Sequence, residues 1–241
     1  MTAAGDTFHV LRWAPIYLTI KAVTRVVLTS TCRLIYTGRE NVPATGPLIL
    51  VANHESYLDP FLIGAGLPRR PYYLVYHTYC TNRMTGPFVR AIGGLPVGGS
   101  FRLASVTSAE TALRTGAAVE IFAEGERTDP GVVLPFHRGF ARLARVTTSP
   151  VLPIAILGAG RIWPRDHLLP RPGRVEVHFG SPLPPPPNPT TRATTRQVET
   201  TFADDVRRAV LDLSAGRLVG RPRHRRGVTA RRRSAPRPLR H

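Results

Sequence analysis

Within LILVANHESYLDPFL, residues 48–62, an apolar run ends in Asn53 and His54, and Asp59 follows five positions after the histidine. A carboxylate at one imidazole nitrogen fixes the tautomer and stabilises the imidazolium. The other nitrogen can then accept a proton. No Ser or Cys stands in a strained elbow, so the histidine would deprotonate a substrate hydroxyl directly. The matching chemistry is acyl transfer without a covalent enzyme intermediate. Five residues of continuous helix turn through about 500°, which leaves two side chains about 140° apart. The pair therefore meets only if His54 lies in a loop leaving a strand and a helix begins between the two residues. Pro60 suits the first helical position, which makes Asp59 the N-cap. Alternatively Ser56 caps the helix and Asp59 sits in its first turn. From spacing alone, a loop histidine and a helix-capping aspartate with no shared task is the stronger reading.

Two further segments bear on the question. IFAEGERT, residues 121–128, ends an apolar run with Glu124, Gly125, Glu126 and Arg127. Gly125 permits a tight turn, and the rigid guanidinium of Arg127 could take a phosphate bidentately. The competing reading is a polar loop with an internal Glu–Arg pair. VLPIAILG, residues 151–158, carries Pro153 inside an apolar strand, which a bulge or an edge position would explain.

Elements that could position these residues alternate along the chain. Strands are expected over 48–52 and in AAVEIFAEG, both buried, in RPYYLVYH, near 95–97, in PVLPIAILG, and in GRVEVHFG, which alternates. Helices are expected in PFLIGAGL, GPFVRAIGG, SVTSAETALRTG and GFARLARVTT. SPLPPPPNPTT is a stiff, extended linker. A closing helix follows, with Val198, Phe202, Val206, Val210 and Leu213 on one stripe. The alternation implies an α/β fold, a mostly parallel central sheet flanked by helices. Sites in such sheets form in loops beyond strand ends, where His54 is expected.

The 241 residues carry a net charge of +18, but ten arginines and no acid fall between Arg217 and His241, leaving about +8 for the rest. That stretch has few apolar residues to pack and reads as a disordered basic C-terminal tail with an anionic partner. It lacks the interleaved aromatics of a nucleic-acid binder, so no specific nucleic acid is expected. At the other end, FHVLRWAPIYLTIKAVTRVVLTSTCRLIYTG is apolar but interrupted by Arg12, Lys21 and Arg25. It reads as an amphipathic helix or helix pair, with Pro15 as a break, suited to an anionic membrane surface rather than to spanning. Three regions result: 1–34, a membrane-surface helical segment; 35–213, the α/β domain; 214–241, the Arg-rich tail. Cys32 and Cys80 show no pairing or metal-ligand pattern, so neither a metal nor a disulfide is expected.

The quoted segments together resemble the glycerolipid acyltransferases of the 1-acyl-sn-glycerol-3-phosphate type, over roughly residues 35–182. ENVPATGPLILVANHESYLDP resembles the first block of that family, Asn-His-x-x-x-x-Asp. FAEGERT is similar to the third, Phe-Pro-Glu-Gly-Thr-Arg, and VLPIAILG to the fourth. The resemblance implies fatty acyl transfer from acyl-CoA or acyl-carrier protein to a lysophospholipid hydroxyl, with no cofactor beyond that co-substrate. It implies His54 as general base, Asp59 as its orienting partner, and Glu124, Gly125 and Arg127 at the acceptor phosphate. Arg102 is the counterpart of a second-block arginine, displaced by two or three residues. A peripheral position on the cytoplasmic face of the cell membrane is implied too. Ala123 stands where the family has proline, Glu126 where it has threonine, and VYHTYC lacks a usual lysine. These departures favour an alternative: acylation of a different lipid or glycolipid hydroxyl. An inactive membrane-binding module is the remaining alternative, against which an intact His54 and Asp59 argue.

Overall fold

The computed structural model describes residues 4–97, 102–164 and 171–222, with backbone alone for 4–16 and 102–106. Its strands are β1 (Cys32–Thr37), β2 (Leu48–Ala52), β3 (Pro71–Tyr76), β4 (Gly94–Val97), β5 (Ala118–Phe122), β6 (Val132–Val133), β7 (Val151–Leu157), β8 (Gly173–Phe179) and β9 (Val219–Gly220). Its helices are α1 (Ala4–Thr31), α2 (Asp59–Gly66), α3 (His77–Thr81), α4 (Gly86–Ile92), α5 (Arg102–Arg114), α6 (Gly139–Thr147), α7 (Ala159–Ile162) and α8 (Arg192–Leu213). Seven strands form one sheet in the order β1-β8-β7-β2-β5-β3-β4, and β6 pairs with β9 beside it. Every neighbouring pair in the large sheet is parallel except β7–β8. β7, β2, β5, β3 and β4 thus run together, and their C-terminal ends share one edge.

β2 shows why the sheet is covered on both faces. All five of its residues are fully buried. Side chains alternate across a strand. Ile49 and Val51 therefore pack with Leu113, Phe140, Ala141, Val206 and Val210 from α5, α6 and α8. Leu48, Leu50 and Ala52 pack with Leu28, Leu62 and Ile63 from α1 and α2. An unbroken apolar run is what such a two-sided strand requires. The closing helix buries Val206 and Val210 of its predicted stripe, with Phe202 and Leu213 against the same layer.

Three expectations change. β1 was not foreseen as a strand, and the boundary drawn at residue 34 falls inside it; its CRLIYT sequence follows the apolar helix without a turn signal. α1 runs as one 28-residue helix through Pro15. Residues 214–222, assigned to the tail, instead belong to the folded domain. Arg217 holds Glu176 through both guanidinium nitrogens at 2.6 and 3.0 Å, Leu218 is buried, and β9 joins β6. The buried Leu218 side chain and the Glu176 partner of Arg217 account for this; residues 223–241 lie outside the described part.

Pro153 sits in β7, the second most central strand, rather than at an edge. It is tolerated because its nitrogen faces the end of β8, where only its carbonyl is used, accepting from Gly180 N at 2.9 Å. The pairing to β2 uses the alternate residues and loses nothing. Cys32 and Cys80 are buried and unpaired.

Candidate active site

Asn53 fixes the start of the loop. Its side-chain amide extends the β2–β7 ladder by one step, donating to Ile156 O at 2.9 Å and accepting from Ile156 N at 2.8 Å. The backbone then turns sharply through Glu55 and Ser56 into α2. Asp59 is the first helical residue, with Leu58 at the cap position and Pro60 behind it. Asp59 thus sits in the first turn, as in the second expected arrangement, but Leu58 rather than Ser56 holds the cap position and no side chain caps the helix. Ser56 Oγ accepts from Leu58 N at 3.3 Å, and Asp59 reaches back over the turn.

One carboxylate oxygen, Asp59 Oδ2, accepts three donors: His54 Nδ1 at 2.8 Å, Glu55 N at 2.7 Å and Ser56 N at 2.8 Å. The two backbone bonds fix the carboxylate independently of the imidazole. Asp59 is fully buried, whereas the His54 side chain is 19% exposed. The ring lies on Phe122, centroids 4.0 Å apart and planes 18° apart. Stacking and hydrogen bond together fix the ring and leave Nε2 as the nitrogen free to exchange a proton with a bound molecule. Sequence spacing alone favoured no shared task; the geometry joins the two residues.

The other expected site residues divide. Glu124 is fully buried, and its two oxygens accept backbone N–H groups, His54 N at 2.8 Å and Leu134 N at 2.7 Å. It therefore braces the histidine loop rather than facing an acceptor phosphate, which a carboxylate would repel. Burial pushes its carboxyl up to about 7, against the pull of those two bonds. Gly125, at φ +75°, closes the turn through Gly125 N to Phe122 O at 3.1 Å. A Cβ there would lie 3.1 Å from the His137 ring, so the positive φ and the tight space both favour glycine. Arg127 lies over Tyr57 of the histidine loop, its guanidinium carbon 3.5 Å from the ring centroid. That cation–π contact brings a positive charge to the rim of the site. Glu126 is exposed, and Arg138 binds Glu199 at 2.6 Å. Arg102 begins α5 with only its backbone described.

Three supporting groups escaped the sequence reading. Thr128 clasps the loop, its N and Oγ1 donating to His54 O at 2.8 and 3.1 Å. Glu55 accepts from Gly131 N at 3.0 Å and Gly160 N at 3.3 Å, and burial raises its carboxyl to about 7. Glu120 is buried on the α1/α2 face of β5, in register with Leu50 and Tyr73. Neither of its oxygens has a hydrogen-bond partner among the described residues, nor does Asp59 Oδ1. Burial first, and the nearby Asp59 second, hold the Glu120 carboxyl well above its ordinary range. An acid at an inward position of AVEIF was a legible sign of it. No group of three or more His, Cys, Asp or Glu suited to a metal occurs among the described residues.

Comparison with known proteins bears on this edge of the sheet. A family model described as Acyltransferase matches residues 33–157, just over half of the chain. A 1-acyl-sn-glycerol-3-phosphate acyltransferase from Cocos nucifera is 27% identical over 139 residues, 56% of this chain and 45% of that protein. A 1-acyl-sn-glycerol-3-phosphate acyltransferase alpha from Mus musculus is 27% identical over 194 residues, 73% and 61% respectively. The chain thus spans about half the length of the curated relatives it matches. The crystal structure of the 1-acyl-sn-glycerophosphate acyltransferase PlsC from Thermotoga maritima superposes with a TM-score of 0.69, covering 87% of this chain and 88% of that one. At 22% identity, that likeness establishes the shared fold.

Proposed function

The chain belongs to the Acyltransferase family, and from that premise we propose that it transfers a fatty acyl group from an acyl thioester to the hydroxyl of 1-acyl-sn-glycerol-3-phosphate, giving phosphatidic acid. The observation that carries the reading is the 2.8 Å bond from His54 to an Asp59 oxygen already fixed by two backbone donors. His54 Nε2 takes the acceptor hydroxyl proton as that oxygen attacks the thioester carbonyl. Asp59 stabilises the imidazolium that forms. When the tetrahedral intermediate collapses, the carbon–sulfur bond breaks and the leaving thiolate takes the proton from His54. Arg127, held at the rim by Tyr57, offers a cation to the acceptor phosphate.

The approach of a lipid is supported on the α1/α2 side. Leu18, Val23, Val26 and Val27 of α1 are exposed, and Tyr76, Tyr79, Met84 and Phe88 are exposed around α3 and α4. Among the described residues no helix is long and apolar enough to cross a membrane. This surface is suited to lying on a bilayer, at the cytoplasmic face where acyl thioesters are made. Lys21 commits one of its three donors to the protein, Nζ to Leu67 O at 2.6 Å.

The deciding experiment offers the purified chain radiolabelled acyl-CoA and acyl-carrier protein with a panel of lysolipids. Labelled phosphatidic acid is the expected product. Label appearing only in a different lipid or glycolipid would replace the acceptor, and no labelled product from any acceptor would end the proposal.

A further inference from the structure

A second cleft opens at the same edge of the sheet as His54 but on its other layer. It encloses about 730 Å³, counting the space at its mouth, and Glu55, Leu157, Arg161, Arg174, Glu176 and Arg217 are among its lining residues. Glu55 is the residue next to His54, so one wall of the cleft is the back of the histidine loop. Leu157 and Leu218 belong to the α5/α6/α8 layer, whereas Phe122, beneath the His54 ring, packs on the α1/α2 layer. The cleft therefore faces away from the apolar surface of α1.

Its charges are unevenly spent. Glu176 is shared by Arg217, by Arg174 Nε at 2.9 Å and by His178 at 3.1 Å. Glu55 is engaged by two backbone N–H groups. Arg161 makes no hydrogen bond or ion pair among the described residues, although its charge acts on Glu55 across the cleft, and Arg174 uses only its Nε. Three guanidinium groups thus face two carboxylates, one already neutralised and the other turned to the backbone. Both terminal nitrogens of Arg174 and the whole fork of Arg161 remain. Planar forks with free N–H pairs match the oxygens of a phosphate.

We propose that this cleft is a phosphate-ester subsite, built by Arg161 and Arg174 on a frame set by Arg217 and Glu176, which receives the phosphate-bearing end of a ligand reacting at His54. The assignment rests on the acyl-transfer reading only for what the ligand is, not for its chemistry. A phosphate here comes either from the soluble thioester donor, through its nucleotide end, or from a lipid headgroup. The position on the layer opposite α1 favours the soluble source.

The test uses the full chain and adenosine 3′,5′-bisphosphate as the soluble probe, titrated calorimetrically at low salt, with adenosine as the phosphate-free control. Arg161→Gln and Arg174→Gln are each expected to weaken the probe by about five- to tenfold, the loss of one charge-assisted contact. Circular dichroism checks that both exposed-residue variants stay folded. A parallel arm measures sedimentation with phosphatidylglycerol vesicles. Loss of nucleotide binding with vesicle binding unchanged supports the soluble source, and loss of vesicle binding alone supports a headgroup in the same subsite. If both variants bind both probes as the parent does, or the parent binds neither, the subsite is refuted. His54→Ala should bind the nucleotide normally while losing acyl transfer. Absence of acyl transfer in every chain would therefore count against the reaction and leave the binding result standing.

Discussion

Asp59→Asn is the perturbation whose consequences the structure constrains most closely. Oδ2 accepts from His54 Nδ1, Glu55 N and Ser56 N, all within 2.8 Å. An asparagine must keep its carbonyl oxygen there, because an amide nitrogen would confront three donors. The variant therefore retains the loop and the imidazole tautomer but loses the negative charge that stabilises the imidazolium. A hydrogen bond to a charged group is worth roughly 1.5–3 kcal/mol. At about 1.36 kcal/mol per decade, kcat should fall by roughly 10- to 150-fold. KM should barely move, since the lost interaction strengthens only as the proton arrives. The new amide nitrogen takes the place of Oδ1, buried with no partner among the described residues. That costs about 1–3 kcal/mol of stability. Initial rates with labelled acyl thioester, with kcat and KM separated, and a melting curve read both effects. A variant that loses stability yet turns over within twofold of the parent would show that Asp59 only closes the turn, and the proposed mechanism would fall.

The remaining tests are shorter. His54→Ala should lower the rate by roughly 10²–10⁴, with an unchanged circular dichroism spectrum; near-full activity would remove the general base from the scheme. Arg127→Ala should raise KM for the phosphorylated acceptor and leave that for the acyl donor alone, whereas a donor-side effect would contradict its placement at the acceptor. Burial raises the Glu120 carboxyl well above its unfolded value. Its contribution is therefore present at low pH and is lost as pH rises through the folded value. Glu120→Gln should accordingly melt like the parent near about pH 4 and at a higher temperature than the parent at alkaline pH, as read by calorimetric scans; a constant difference across pH would place the effect in packing.

What the sequence revealed follows physical range. β2 and β7 were legible because a strand buried on both faces must be apolar throughout, β5 despite the acid at Glu120, and turn residues punctuate each run. His54 and Asp59 were legible as a pair only through the motif, because spacing leaves them apart until Pro60 and the turn at Ser56 are placed. Glu124 was misread. Its partners are backbone N–H groups of residues 54 and 134, and nothing in EGER distinguishes a carboxylate aimed inward from one aimed at solvent. Glu55 is bound by Gly131 and Gly160, and Thr128 by the carbonyl of His54; such pairings exist only once distant loops meet. β1 was hidden by an apolar stretch that continues from the helix before it, and the ordered segment 214–222 by the arginines that follow it.

The anchoring of residues 217–220 by Glu176 and β6 ties the segment after α8 to the reacting edge. Val219 N donates to Gly131 O, and Gly131 N in turn donates to Glu55, the neighbour of His54. A strain applied to the chain just after α8 is therefore passed through two hydrogen bonds to the back of the histidine loop.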